Sequence, residues 1–210
     1  MKQLLRFMPL SAPDATLTRP RLVLASNSPR RRQLLTELGL TYEIRLREVD
    51  ESFPPHLVRA EVAEFLAAHK ASAYAPDLAP DELVITADTI VCLDDDVLNK
   101  PADEAEAVQM LRRLQGRAHD VYTGVCLLHG DGRRVVFSDQ TRVHFRPLSL
   151  LEIEHYVRQY QPLDKAGAYG AQDWIGMVAV TRLEGSYFNV MGLPVHRVWE
   201  ELVKLGAVGV

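Results

Sequence analysis

The sequence predicts an α/β protein in which a mixed, twisted sheet is flanked by helices and organised as two lobes around a central cleft. Three observations carry this expectation. Strand-like apolar runs alternate with helix-forming segments along the chain. Leu83 to Leu93 (LVITADTIVCL) is dominated by β-branched and apolar types, as a central strand requires. Two further strand-like runs flank His129-Gly130-Asp131-Gly132, where glycines supply the positive φ of a hairpin turn.

Taken in order, Arg21 to Ala25 reads as a short buried strand, followed by a polar turn and a helix to about Leu38. Ser28 suits the N-cap, Pro29 the first helical position, where its missing N–H costs nothing, and Gly39 the left-handed residue after the helix. Glu61 to Tyr74 is Ala-rich and places Val62, Phe65, Leu66 and His69 on one helical face. Pro76 and Pro80 end that segment before the central strand.

Asp103 with Glu106 predicts a capped helix through Leu114, stopped by Gly116. Val121 to Leu128 and Arg133 to Phe145 form the hairpin, and Ser149 with Glu152 opens a helix to about Gln159. The last third reads as a Gly-rich loop (Lys165 to Gly170), a strand near Met177 to Arg182, a turn through Gly185, and a terminal helix from Val195 to Leu205. In an open α/β sheet of this kind, ligands bind at strand ends.

The 210 residues, 47% hydrophobic and 25% charged, exclude disordered and fibrous classes. A net charge of −4 gives no global attraction to nucleic acid or an acidic membrane, so anion binding has to come from a local basic cluster. Cys92 and Cys126 lie in apolar runs without zinc or disulfide spacing, which fits a reducing cytoplasm. Residues 1–18 hold only short apolar stretches broken by Arg6 and prolines; they read as a loose extension, neither a membrane span nor a signal peptide, before one domain over 19–210.

Two electrostatic conflicts point to chemistry. Arg30, Arg31 and Arg32 crowd the first turn of a helix, where free N–H groups already carry partial positive charge. A phosphate chain resolves this, since the N–H groups, the guanidinium forks and the hydroxyls of Ser26 and Ser28 all donate to its oxygens. Taken in isolation, the triplet is equally readable as a solvated basic patch or a weak RNA contact. No GxxxxGK[ST] or GxGxxG is present.

The second conflict is Asp88, a carboxylate in the middle of an apolar strand that needs a cation or strong donors to offset its burial. With Mg²⁺ it would orient or deprotonate an attacking water; the alternative is an Asp anchoring a bulge or an Arg. Asp50 and Glu51 are a carboxylate pair that could reach a metal, and Lys70 and Lys100 could neutralise phosphate, although such residues are ordinarily surface charges. His119 reads as a structural hydrogen-bonding group rather than a catalytic base.

The ordered segments Leu24-Ala25-Ser26-Asn27-Ser28-Pro29-Arg30-Arg31-Arg32, Val49-Asp50-Glu51-Ser52, Lys70-Ala71, Ala87-Asp88-Thr89-Ile90-Val91, Asn99-Lys100-Pro101, His119-Asp120-Val121-Tyr122-Thr123-Gly124 and Lys165-Ala166-Gly167-Ala168-Tyr169-Gly170 resemble the Maf family of nucleotide pyrophosphatases. The resemblance covers nearly everything from Leu22 to Val198. It implies a fold like that of inosine triphosphate pyrophosphatases, frequent homodimers, and hydrolysis between the α and β phosphates of a nucleoside triphosphate. No stable nucleic-acid complex or membrane association is implied.

Within that family, Arg30, Thr89 and Gln172 resemble the subgroup acting on dTTP and UTP, and depart from the subgroup acting on 7-methyl-GTP. Asp173 departs from the glycine the family often shows after the glutamine. The resemblance implies that Ser26, Ser28, Arg30, Arg31, Lys70, Thr89, Lys100 and Gln172 bind substrate, that Glu51 and Asp88 hold Mg²⁺ or Mn²⁺, and that Asp88 is catalytic. Rival expectations are a nucleotide-binding regulator of septum formation without essential catalysis, or a 7-methyl-GTP-type pyrophosphatase.

Overall fold

A computed structural model describes residues 19–209, so the extension expected over 1–18 lies outside the described residues. One seven-stranded mixed sheet runs in the order β2-β1-β3-β5-β6-β7, with β4 pairing beside β3. The strands are β1 (Arg21–Leu24), β2 (Tyr42–Ile44), β3 (Glu82–Leu93), β4 (Asp96–Leu98), β5 (Ala118–His129), β6 (Arg134–Phe145) and β7 (Val180–Glu184). The β1 strand is parallel to both β2 and β3, while every other pairing is antiparallel.

The helices are α1 (Pro29–Glu37), α2 (Ala60–Ser72), α3 (Glu104–Leu114), α4 (Leu150–Tyr160), α5 (Trp174–Ala179), α6 (Tyr187–Met191) and α7 (Val195–Lys204). Their caps follow from the sequence. Ser28, Asp103 and Ser149 each accept a backbone N–H in the first turn, and Ser149 with Glu152 forms a reciprocal capping box. Gly39 follows α1 at φ +74°.

Three expectations change. The strand foreseen near Met177 to Arg182 starts only at Val180, because Asp173 N-caps a helical turn and the Asp173 carbonyl accepts from Gly176 and Met177. The face of α2 is rotated: Val62, Ala63, Leu66, Ala67 and Ala71 are buried, whereas His69 is exposed and Phe65 half-buried. Small side chains win that face because α2 lies tight on β5, where a Cβ on Gly124 would come within 2.2 Å of the Ala63 carbonyl oxygen. In the hairpin turn only Gly132 takes positive φ, while Gly130 is required by the closeness of the Ala79 carbonyl.

The alternation of β3 distributes its side chains between two cores. Leu83, Ile85 and Ala87 join Leu24, Leu35, Leu127 and Leu202 on the side of α1 and α7. Val84 packs with Ala67, Ala71 and Cys126 under α2. A further cluster around Leu93, Leu111, Tyr156 and Ile175 fills the end covered by α3 and α4.

Candidate active site

The site lies where β3 loses a neighbour. The last β1 pairing is Leu24 with Ile85, and β4 is first met again at Val91 opposite Leu98. Between them, Thr86 to Ile90 keep only β5 as a strand partner among the described residues. A cleft of about 980 Å³ opens along this gap, at the point where the neighbours of β3 change from parallel to antiparallel. Every substrate, metal and catalytic residue expected from the sequence, namely Ser26, Ser28, Arg30, Arg31, Glu51, Lys70, Asp88, Thr89, Lys100 and Gln172, lines it.

The turn from β1 into α1 forms one wall. Ser26 Oγ accepts from the Ser28 backbone N–H, and Ser28 Oγ accepts from that of Arg31. Neither hydroxyl donates to another described residue, so both O–H protons remain for a ligand. Arg31 points inward: Nε donates to the Gly192 carbonyl (2.8 Å), Nη1 to the Ala87 carbonyl (2.8 Å), and Nη2 to Thr89 Oγ1 (3.1 Å). Its guanidinium therefore staples the turn, the stretch of β3 paired only to β5, and the end of α6 together, leaving little donor capacity for a ligand.

Arg30 is the more available cation. Its Nη1 reaches Asp164 at 3.4 Å, and its side chain remains partly open. Arg32 donates to Asn27 instead. Thr89 Oγ1 is engaged by Arg31 and lies 3.0 Å from Thr123 Oγ1, which places it as a support under the wall formed by the β1–α1 turn.

Asp88 and Thr89 leave β3 on opposite faces. Asp88 projects toward α2, and Lys70 Nζ, from the last turn of that helix, donates to Asp88 Oδ1 at 2.5 Å. The same ammonium donates to Glu51 at 2.8 Å, and Lys100 donates to the other Glu51 oxygen at 3.1 Å. Burial works to raise the Glu51 carboxyl, but bonds and charge from Lys70 and Lys100 outweigh it and hold it down at about 2. Asp50 does not join this group: its carboxylate caps its own turn through the Ser52 N–H and hydroxyl.

Beside Arg30 in the cleft lining, Lys165 bridges Asp164 (2.7 Å) and Asp173 (3.8 Å). Asp173 also accepts from Tyr156 Oη and from Gln172 Nε2. Sequence reasoning did not single out Asp164 or Lys165 as site residues; the signal available was Lys165 at the head of the Gly-rich segment. His119 is buried, within 2.8 Å of Tyr169 Oη and edge-on to Phe145, away from the lysine-carboxylate group. Burial, reinforced by His144, pushes its pKa down to about 3, so it stays neutral.

A basic helix start facing a lysine-bridged carboxylate pair is thus built from the sequence segments that carried the resemblance. The profile of the family described as Maf-like protein matches residues 21–205. The chain belongs to this family. Among relatives of this Maf-like protein, the dTTP/UTP pyrophosphatase of Phocaeicola vulgatus is 50% identical over 190 residues, covering 90% of this chain and 98% of the relative. That of Bacteroides thetaiotaomicron is 49% identical with the same coverage. Among solved structures, a nucleoside-triphosphatase / dITP/XTP pyrophosphatase from Mycobacterium abscessus aligns with a TM-score of 0.43 at 14% identity, over 89% of the Maf-like chain and 96% of the other.

No helix of the described residues in the Maf-like chain is long and apolar enough to cross a membrane. Both of its cysteines are buried free thiols.

Proposed function

We propose that the chain hydrolyses dTTP and UTP between the α and β phosphates, giving pyrophosphate and dTMP or UMP. The observation that carries this reading is the Lys70 ammonium held between Asp88 and Glu51, facing the basic start of α1 across the cleft. The names of the relatives supply the substrate pair.

The donor set fits a divalent cation. Among the described residues no group of three or more His, Cys, Asp or Glu could hold a metal with protein ligands alone. Two carboxylates that already converge on one cation do suit Mg²⁺ or Mn²⁺, since a hard ion takes one or two carboxylates and completes its shell with phosphate and water oxygens. Glu51 and Asp88 would hold the metal, which when bound neutralises charge on the phosphates.

In this reading the Ser26 and Ser28 hydroxyls, Arg30 and Lys100 bind the phosphate oxygens, while Arg31 and Thr89 fix the wall behind them. Lys70 holds Asp88 Oδ1, and Oδ2 makes no hydrogen bond among the described residues. Oδ2 is then the oxygen that orients water and takes its proton as a P–O bond forms at the α-phosphorus and the α–β anhydride breaks. Positioning and charge neutralisation supply most of the acceleration. Action in the cytoplasm and as a homodimer belongs to the same reading and rests on the family resemblance.

A panel of canonical and modified triphosphates with Mg²⁺ or Mn²⁺ tests this reading. Equal release of monophosphate and pyrophosphate, greatest for dTTP and UTP, supports it; release of orthophosphate alone overturns it.

A further inference from the structure

Gln172 presents an oriented amide. Its Nε2 donates to Asp173 Oδ1 at 3.2 Å, while its Oε1 is buried at the cleft lining with no partner among the described residues. An amide can flip, but here the flip would set Oε1 against a carboxylate and lose a hydrogen bond to a charged acceptor. Asp173 is itself fixed. Tyr156 Oη accepts the Gly170 N–H (3.1 Å) and donates to Asp173 Oδ2 (2.8 Å), and Lys165 stands on the same oxygen. Gly170 makes the approach possible, because a Cβ there would fall 2.6 Å from Asp173 Oδ2 and 2.8 Å from Gln172 Nε2.

We propose that Asp173 is a specificity-positioning residue, locking the Gln172 amide so that its oxygen, with one remaining N–H beside it, faces the base of the nucleotide. A uracil or thymine imide offers an N–H donor flanked by carbonyl acceptors, and this pattern matches the locked amide. Cytosine carries an acceptor nitrogen beside an amino donor, and it matches the flipped amide. Asp173 therefore discriminates uracil and thymine from cytosine without touching the base. The orphaned Oε1 is explained at the same time, since it gains its partner when the imide binds.

The inference rests on the proposed pyrimidine triphosphatase reading and deepens it. Asp173→Asn is nearly isosteric and tests it directly. Tyr156 would fix the oxygen of the new amide, turning its NH₂ toward Gln172 and favouring the flip. Losing one hydrogen bond to a charged group should lower the UTP-to-CTP ratio of kcat/KM by about tenfold to a hundredfold. The change should lie in KM, falling for CTP and rising for UTP, with kcat for UTP and the melting temperature nearly kept.

Gln172→Leu separates the two levels. If it collapses the ratio while Asp173→Asn leaves it unchanged, Asp173 does not set the amide and the inference is overturned. If neither variant moves the ratio while dTTP and UTP are still cleaved, the base contact through Gln172 fails and the inference with it, but the hydrolase reading stands. Should the Asn variant not fold, Asp173→Ser removes the carboxylate and is read by the same ratio.

Discussion

Lys70 Nζ lies 2.5 Å from Asp88 Oδ1, joining the last turn of α2 to the middle of the central strand. The contact resolves the conflict of a carboxylate in an apolar strand, and it leaves the second Asp88 oxygen without a hydrogen bond among the described residues. Steady-state kinetics of Asp88→Asn test the consequence. The isosteric amide should lower kcat by about 10²- to 10⁴-fold, the usual worth of a positioned base, while triphosphate still binds. Near-normal turnover would remove Asp88 from the mechanism.

Lys70→Met leaves Asp88 and Glu51 without the ammonium they share. Loss of one partner of a half-buried ionic group should cost about 1–3 kcal/mol. Without the repulsion of that ammonium the two carboxylates should bind a divalent cation more tightly, so Mg²⁺ should raise the melting temperature of the variant more than that of the parent protein. Equal Mg²⁺ responses would argue that Glu51 and Asp88 do not converge on a metal.

His119 gives a pH dependence whose sign is set by burial. Its folded pKa, about 3, lies below the ordinary 6.5, so the unfolded chain binds its proton first as the pH falls. Stability is complete above pH 6.5 and is lost between there and about 3, with a slope of at most about 1.4 kcal/mol per pH unit from this group. Urea unfolding at pH 7 and pH 5 should show the fall in the parent and a smaller one in His119→Phe, which keeps an aromatic ring against Phe145 and Tyr169 but cannot titrate.

Gly124→Ala places a methyl 2.2 Å from the Ala63 carbonyl oxygen and must push α2 off β5. Overpacking of this kind costs about 1–3 kcal/mol. Because α2 carries Lys70, activity should fall even where the variant remains folded. A folded variant with full activity would show that the lysine tolerates movement of its helix.

Arg31→Lys keeps the charge but cannot reach Gly192, Ala87 and Thr89 together. The variant should lose about tenfold in kcat/KM and unfold at a lower temperature, since the staple on the open side of β3 is gone. Were Arg31 chiefly a phosphate ligand, stability would be unchanged while triphosphate KM rose.

Local elements were legible because their signals are local. Ser28, Pro29 and Gly39 bound α1, Asp103 and Ser149 cap α3 and α4, and the apolar run of β3 carries Asp88 at its centre. The short strands β2 and β4 and the helix α6 gave no comparable pattern. Three to five residues are too few for periodicity, and pairing with β1 and β3 or packing against β5 holds them.

The sequence by itself determined the α/β character, the basic helix start and the need of Asp88 for a cation, since each follows from neighbouring residues or a single burial conflict. Tertiary structure decided the partners. It made Lys70 the cation, kept Asp50 out of the cleft, turned Arg31 inward and set Asp173 behind Gln172, because these contacts join residues distant in the chain or depend on side-chain direction. Only the endings of β1 and β4 beside β3, which no local pattern encodes, opened the gap in which they meet.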